Sequence, residues 1–203
     1  MALLDWITPG DSLRLRGEGI EIRPPRPSDF PEWSELRRAS RDFLQPWEPT
    51  WPEDDRTRAA WRRRLASYAR DIDLGVAYPF LVFRLADGAL TGGITLSNIR
   101  RGVAQMGTVG YWCGVSHTRQ GHTLAAVRTV VGFAFRTLAL HRLEAACLPE
   151  NTPSRRLLGQ AGFREEGLAQ AYLKINGEWR DHVLFGLLAP PPRNEGPKGS
   201  LFT

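Results

Sequence analysis

The segment that decides the fold covers residues 110–124 and reads GYWCGVSHTRQGHTL. Tyr111 and Trp112 favour a β-strand, whereas Gly114 interrupts one. Further along, apolar residues recur every three or four positions, as they do on the buried side of a helix. These residues are Leu124, Val127, Val131, Phe135 and Leu138. The segment therefore predicts a strand, a short glycine-containing loop, and a helix that begins near Thr123.

A helix that follows a glycine loop offers a binding site for an anion. Its first backbone N–H groups have no partner within the helix, and the helix dipole adds positive potential there. Gly121 has no Cβ, so a phosphate can approach the backbone, and Arg119 adds a cation. The segment contains neither a Walker motif nor a dinucleotide-binding glycine fingerprint. The alternative is that Gly121 only makes a turn between strand and helix.

The composition is that of a globular protein with one domain. The chain has 203 residues, of which 42% are apolar and 24% are charged. No apolar run approaches the roughly 20 residues of a membrane span, and the first residues do not read as a signal peptide. We therefore expect a cytoplasmic protein that does not enter a membrane. Two cysteines, Cys113 and Cys147, are expected to be buried and reduced, and no Cys/His spacing suggests a metal site.

The net charge of +5 comes almost entirely from arginine, because Lys174 and Lys198 are the only lysines. Arginine-rich surfaces suit phosphates and acidic partners. Direct nucleic-acid binding is permitted by this charge but not indicated by it. The sequence leaves the oligomeric state open.

The order of predicted elements indicates a single α/β (α+β) domain with a mixed central sheet, flanking helices and a closing β-hairpin. We expect an irregular lead-in over residues 1–18, the domain over 19–189, and a disordered proline-rich tail over 190–203. Strands are predicted at 19–23, 79–85, 90–97, 104–113 and 141–148, and a hairpin at 163–188 turns at Asn176-Gly177. Helices are predicted after Ser28 or Asp29, after Asp55 or Thr57, at the opening segment, and after Thr152 as the cap.

Residues 43–52, here called the tryptophan loop, contain three prolines, so no regular element is expected there. One interpretation is a loop that its tryptophans hold against the core. The other is one wall of a substrate cleft, in which Glu48 faces a cationic group.

Several motifs follow one another in a characteristic order. They are Phe43-Leu44-Gln45-Pro46-Trp47-Glu48-Pro49, Leu140-His141-Arg142-Leu143-Glu144-Ala145, Asn151-Thr152-Pro153-Ser154, Ala161-Gly162-Phe163 with Glu166-Gly167, and Asn176-Gly177-Glu178-Trp179-Arg180-Asp181-His182-Val183. Together with the loop at residues 119–123, their order and spacing resemble the GNAT family of acetyl-CoA-dependent N-acetyltransferases, from about residue 19 to 189. Within that family they are most similar to RimJ/RimL-type ribosomal-protein-alanine N-acetyltransferases.

The resemblance implies acetyl transfer from acetyl-CoA, the co-substrate, to an amine by direct attack. It implies that the CoA diphosphate is held by Arg119, Gln120, Gly121, His122, Thr123 and Leu124. A strand N–H near Trp112 or Cys113, freed by splaying of the sheet, would stabilise the thioester oxygen. Asn151 would hold the cofactor arm and Ser154 would protonate the leaving thiolate, with Tyr172 as a second candidate acid. Trp47, Glu48, Trp51 and Tyr111 are expected to contact the acceptor.

The chain departs from the family pattern at three threonines. Thr118 and Thr123 replace the usual ends of the diphosphate loop, and Thr108 stands where many relatives carry a glutamate. An N-terminal α-amine, with a pKa of about 7.7–8.0, is partly neutral without a dedicated base, whereas a lysine side chain is not. Water could carry its proton to Glu48 or Asp181. His117, His122 and His182 are further candidate bases.

The acceptor is therefore expected to be a protein N-terminus, for which a ribosomal protein is a candidate. Two alternatives stay open: a small-molecule amine such as a polyamine, an antibiotic or an amino acid, and a CoA-binding module without turnover.

Overall fold

A computed structural model of the protein describes residues 13–191. The strands are β1 Leu15–Gly17, β2 Ile20–Arg23, β3 Tyr78–Arg84, β4 Leu90–Arg100, β5 Met106–Cys113, β6 Arg142–Cys147, β7 Arg164–Ile175 and β8 Glu178–Leu188. The α-helices are α1 Phe30–Ala39, α2 Arg41–Leu44, α3 Arg58–Asp73, α4 His122–Arg136 and α5 Thr152–Gln160. Short 3₁₀ turns cover Pro27–Asp29, Gln45–Trp47 and Val115–His117.

The described strands form one mixed sheet in the order β1-β2-β3-β4-β5-β6-β8-β7. All neighbours are antiparallel except β5 and β6, which run parallel. These two strands pair only from Met106–Arg142 to Thr108–Glu144. Beyond that point β5 stays paired with β4 as far as Cys113, and β6 stays paired with β8 as far as Cys147. The sheet therefore opens between β5 and β6, and this gap is called the cleft below.

Helices cover both faces of the sheet. Successive side chains of a strand point to opposite faces, so the same strand packs against helices on both sides. On one face, Val82 and Ile94 belong to the main core together with Val127 and Val130 of α4. On the other face, Leu81 and Phe83 pack with Trp33 of α1 and Trp61 of α3. The predicted mixed α/β sheet flanked by helices is confirmed, and so is the closing hairpin, which turns at Asn176 and Gly177 with φ of 45° and 88°.

Three local expectations were wrong. The strand Leu15–Gly17 lies in the segment expected to be irregular, because pairing with β2 outweighs its weak local pattern. The tryptophan loop contains part of α2 and the 3₁₀ turn Gln45–Trp47, in which Pro46 occupies a first-turn position where no N–H is needed. Asn151, not Thr152, caps α5: its side chain accepts from the backbone N–H of Ser154.

The predicted tail, 190–203, and most of the lead-in fall outside what is described, since the structure describes neither 1–12 nor 192–203. Within the described range, no helix is long and apolar enough to cross a bilayer.

The close packing of β4 on β5 gives a stability prediction. A Cβ added at Gly92 would lie well inside van der Waals distance of the Trp112 carbonyl oxygen and 3.2 Å from the Cα of Cys113. Because those atoms are backbone, the strands must separate, and we expect Gly92→Ala to lower the free energy of unfolding by about 1–3 kcal/mol. Urea denaturation measures this.

Gly110→Ala is the matched control, because a Cβ there meets nothing within 4 Å. Equal stability of the two variants would contradict the packing described for β4 and β5.

Candidate active site

The cleft exposes backbone groups of β5 in an alternating pattern. The N–H of Gly114 donates to the Thr91 carbonyl at 2.9 Å, so it points toward β4. Since backbone groups alternate along a strand, the N–H of Trp112 also points to β4, whereas those of Tyr111 and Cys113 point into the cleft. Of the two residues suggested for stabilising a thioester oxygen, this geometry favours Cys113. Trp112 instead packs its indole against Gly93.

The start of α4 is an open site for an anion. Gly121 is its N-cap residue, with φ of 81°, and no side chain caps the helix. The first turn contains no acidic residue, and a Cβ at Gly121 would meet nothing within 4 Å. Arg119 lies exposed beside this turn and makes no ion pair with any residue of the described range. Free N–H groups, open space and an unpaired cation fit the diphosphate of CoA.

The other residues of this loop contribute polar groups at the same place. Gln120 Nε2 donates to the Ser116 carbonyl at 3.0 Å, which fixes the loop. Burial raises the pKa of the Cys113 thiol, against the opposing effect of Thr123. The Nδ1 atoms of His117 and His122 are buried without a partner among residues 13–191. Burial and the nearby Arg84 lower the pKa of His122, so this imidazole is neutral at pH 7. A neutral imidazole carries one N–H that can donate a hydrogen bond, and it does not repel the positive charge of Arg119. Leu124 follows in the first turn and is partly buried.

Ser154 lies at the start of α5, on the opposite side of the cleft from β5. Its backbone N–H bonds to Asn151 Oδ1 at 3.1 Å, and its hydroxyl is 2.7 Å from the Tyr111 hydroxyl. The oxygen of Asn151 is therefore committed to capping the helix, which leaves its amide N–H groups for a cofactor. Tyr111, expected to contact the acceptor, is hydrogen-bonded to Ser154 through its hydroxyl, and its contact with an acceptor stays a prediction. Burial raises the pKa of Tyr111, against the opposing effect of Ser154.

Cys147 is a member of this group that sequence reasoning missed. It was expected to be a buried reduced thiol, and it is buried and free. Burial raises its pKa, while a hydrogen bond with Ser154 lowers it, so the thiol lies beside the serine. The sequence signal for this contact was the position of Cys147, which is the last residue of β6 and lies seven residues before Ser154.

Glu48 of the tryptophan loop does face a cationic group, but that group belongs to the protein itself. Two nitrogens of Arg37 donate to the two oxygens of Glu48 at 2.8 and 2.7 Å, and Trp51 Nε1 donates to one of them at 2.7 Å. The guanidinium of Arg37 is stacked 3.9 Å from the Trp51 ring and 5.0 Å from the Trp112 ring. The sequence analysis did not identify Arg37 as a site residue, because Arg37 follows the apolar residue Leu36 in α1 and belongs to no recognisable motif.

The tryptophan loop is fastened to the tip of the closing hairpin. The Asn176 N–H donates to the Glu48 carbonyl at 2.9 Å, and Gln45 Nε2 donates to Asn176 Oδ1 at 3.2 Å. Trp47 lies half-buried in this segment. The loop and the hairpin tip therefore form one continuous wall, and the contact of this wall with a substrate stays a prediction.

Among the described residues, no hydrogen bond connects Tyr172 to Ser154. It lies half-exposed in an irregular part of β7, with its ring centre 5.7 Å from that of the buried His182. Asp181, proposed to receive a proton, accepts a hydrogen bond from the Ala171 N–H at 2.8 Å. The role of Tyr172 as an acid stays a prediction, and Ser154 has the better-defined surroundings.

The comparisons with known proteins agree with this geometry. A family model described as "Acetyltransferase (GNAT) domain" matches residues 20–164. Probable N-acetyltransferase YjcK of Bacillus subtilis is 36% identical over 87% of this chain and 97% of its own. The [ribosomal protein uS5]-alanine N-acetyltransferase of Escherichia coli is 32% identical over 88% and 92%. The solved structure of Mycobacterium smegmatis RimJ in complex with CoA-disulfide superposes with a TM-score of 0.81, at 35% identity over 87% and 86%.

The fold and the cleft define an acyltransferase that uses a CoA thioester. The chain belongs to the GNAT acetyltransferase family, as its motifs predicted, and is similar to RimJ/RimL-type enzymes. It is an acetyl-CoA-dependent acyltransferase, and acetyl-CoA is its co-substrate. Among the described residues, no cluster of His, Cys, Asp and Glu could hold a metal ion.

The buried pair between Arg37 and Glu48 gives a second stability prediction. Glu48→Gln keeps the shape but removes the charge that compensates Arg37, whose side chain is only 9% exposed. We expect a loss of about 2 kcal/mol in the free energy of unfolding and a higher KM for the acceptor. Urea denaturation and steady-state kinetics measure the two effects.

Glu35→Gln is the matched control, since Glu35 pairs with Arg38 on the exposed surface of α1. It should leave stability and KM unchanged. A Glu48→Gln protein that behaves like this control would show that the buried pair does not hold the loop.

Proposed function

We propose that the acceptor is the N-terminal α-amine of a protein, and that a ribosomal protein is the natural substrate. The observation that carries this proposal is the pairing of Glu48 with Arg37 at the tryptophan loop. Both oxygens of this carboxylate accept hydrogen bonds from Arg37, and one of them also accepts from Trp51 Nε1, so the carboxylate is occupied within the protein and is not directed at an acceptor amine.

The other carboxylate suggested for proton transfer is also engaged, because Asp181 accepts from the Ala171 N–H. Thr108 on β5 supplies no carboxylate either. A side-chain amine with a pKa near 10.4 would need a strong base to react at neutral pH, whereas an α-amine with a pKa of about 7.7–8.0 is already partly neutral. The site therefore suits an amine that loses its proton to water.

The names of relatives support the same acceptor class. The Escherichia coli relative is named for the alanine of ribosomal protein uS5, and a Vibrio fischeri structure with a TM-score of 0.82 and 30% identity is named a ribosomal-protein-S5-alanine acetyltransferase. We extend this substrate class to the present chain. Acetylation of ribosomal proteins would take place in the cytoplasm, where they are assembled.

The residues of the cleft have complementary roles in the proposed reaction. The N–H groups at the start of α4, with Arg119, bind the diphosphate. The N–H of Cys113 donates to the thioester oxygen as negative charge develops on it. Ser154 gives its hydroxyl proton to the leaving sulfur. The wall formed by the tryptophan loop and the hairpin tip borders the acceptor, with Trp47 and Trp51 as apolar contacts.

The acceptor class is tested with a panel of amines. Purified protein and acetyl-CoA are incubated with peptides that begin with alanine or serine, with polyamines and with aminoglycosides. Thiol release and mass spectrometry report turnover and the site of acetylation. We expect acetylation of the peptide α-amine, with a rate that rises with pH up to about 8 as the amine loses its proton. Turnover of small amines alone would overturn the proposal in favour of a small-molecule acetyltransferase.

The acid role of Ser154 is tested by Ser154→Ala. We expect kcat to fall by about 100-fold, because the thiolate loses its proton donor, while acetyl-CoA binding measured by calorimetry stays within about twofold. Ser67→Ala, which removes a hydroxyl from α3, is the control and should keep full activity. Unchanged kcat in Ser154→Ala would exclude Ser154 as the acid.

A further inference from the structure

The hydrogen bond between Tyr111 and Ser154 connects the two sides of the cleft. Tyr111 belongs to β5 and Ser154 to the first turn of α5, and their hydroxyl oxygens are 2.7 Å apart. Within residues 13–191 it is the one side-chain hydrogen bond between these two elements. The phenol of Tyr111 is thus directed at the proposed acid.

The direction of this hydrogen bond decides what Ser154 can do. A serine hydroxyl has a single hydrogen and can accept two hydrogen bonds. If Ser154 donated to Tyr111, its hydrogen would not be available to a leaving group. Burial raises the pKa of Tyr111, so the phenol keeps its hydrogen throughout the pH range in which amines react. Tyr111 can therefore be the donor, so that Ser154 does not use its hydrogen in this bond.

The backbone holds both partners in place. Ser154 is fixed by the bond from its N–H to Asn151 Oδ1 at 3.1 Å. Tyr111 is fixed because β5 remains paired with β4 at this point, where Tyr111 faces Ile94. Two hydroxyls on separately anchored elements form a rigid pair, and rigidity is what an acid aimed at a single sulfur atom requires.

We propose that Tyr111 is a positioning residue for acyl transfer, whose hydroxyl donates to Ser154 Oγ, fixes that side chain and leaves its hydrogen for the departing sulfur. This inference rests on the proposed function, because it takes Ser154 as the acid.

In the step, the amine nitrogen forms a bond to the acyl carbon and the C–S bond breaks. The sulfur takes the Ser154 proton, the nitrogen releases one proton to water, and water returns one proton to Ser154 Oγ. Tyr111 keeps its proton throughout and stabilises the serine oxygen by its hydrogen bond.

A double-mutant cycle tests the proposal with Tyr111→Phe, Ser154→Ala and the two combined. Tyr111→Phe removes one hydroxyl and keeps the ring. We expect kcat to fall about tenfold with the KM values for acetyl-CoA and acceptor unchanged, measured on whichever acceptor of the panel turns over fastest. In the Ser154→Ala background the same change should have no further effect, because Tyr111 acts through Ser154.

A second readout needs no substrate. In the free protein, Tyr111→Phe should lower Tm when Ser154 is present and should leave Tm unchanged in the Ser154→Ala background. Tyr78→Phe is the matched control: Tyr78 lies on β3, two strands away from β5, and its ring packs on Phe133 with centroids 5.1 Å apart, so its effects should be additive with those of Ser154→Ala.

The outcomes separate this proposal from the one on which it rests. An equal loss of kcat from Tyr111→Phe in both backgrounds would show that Tyr111 acts independently of Ser154. That result would overturn the positioning role of Tyr111 and leave the acid role of Ser154 unaffected. A raised acceptor KM with unchanged kcat would make Tyr111 an acceptor contact and would also overturn it. Full activity of Ser154→Ala would instead remove the acid role of Ser154, and with it both assignments.

Discussion

The separation of β5 from β6 is the constraint on which the rest of the site depends. The two strands pair over their first residues only, yet each stays hydrogen-bonded on its other side, β5 to β4 and β6 to β8. The cleft is therefore held open by two anchored strands and not by frayed ends. Backbone donors that would normally be paired are left free at this position, and a substrate can satisfy them. The helices α4 and α5 follow directly on β5 and β6, so their first turns border the same opening.

The C-terminal half of α1 connects the two halves of the site. Ser40, which is fully buried, accepts a hydrogen bond at 3.0 Å from the Val115 N–H in the loop that leads to α4. One turn earlier, Arg37 holds Glu48 of the tryptophan loop. A buried ion pair contributes more to a defined geometry than to net stability, since desolvation offsets much of its attraction. This helix thus fixes the distance between the loop that leads to α4 and the tryptophan loop.

Much of the fold could be predicted because its signals are local. The turn at Asn176-Gly177 is predicted because these residues tolerate positive φ. The ends of β8 are predicted from the alternation of apolar and polar residues along the strand. The start of α4 follows from a glycine before an apolar repeat. The expectations that failed concern weak local signals: the short strand Leu15–Gly17 exists because β2 offers a partner, and Asn151 rather than Thr152 caps α5 because its side chain reaches Ser154.

The sequence by itself determined most of the elements, the open helix start that suits a diphosphate, and the family, because each depends on residues a few positions apart or on motifs in a fixed order. Only the tertiary structure decided which polar groups meet. Glu48 is paired with Arg37, 11 residues away, and Tyr111 with Ser154, 43 residues away. The first pair is set by the packing of the tryptophan loop on α1, and the second by the position of α5 beside β5 across the cleft. Neither pair is encoded in any short stretch of the chain, so the partners of Glu48 and Tyr111 could be identified only from the fold.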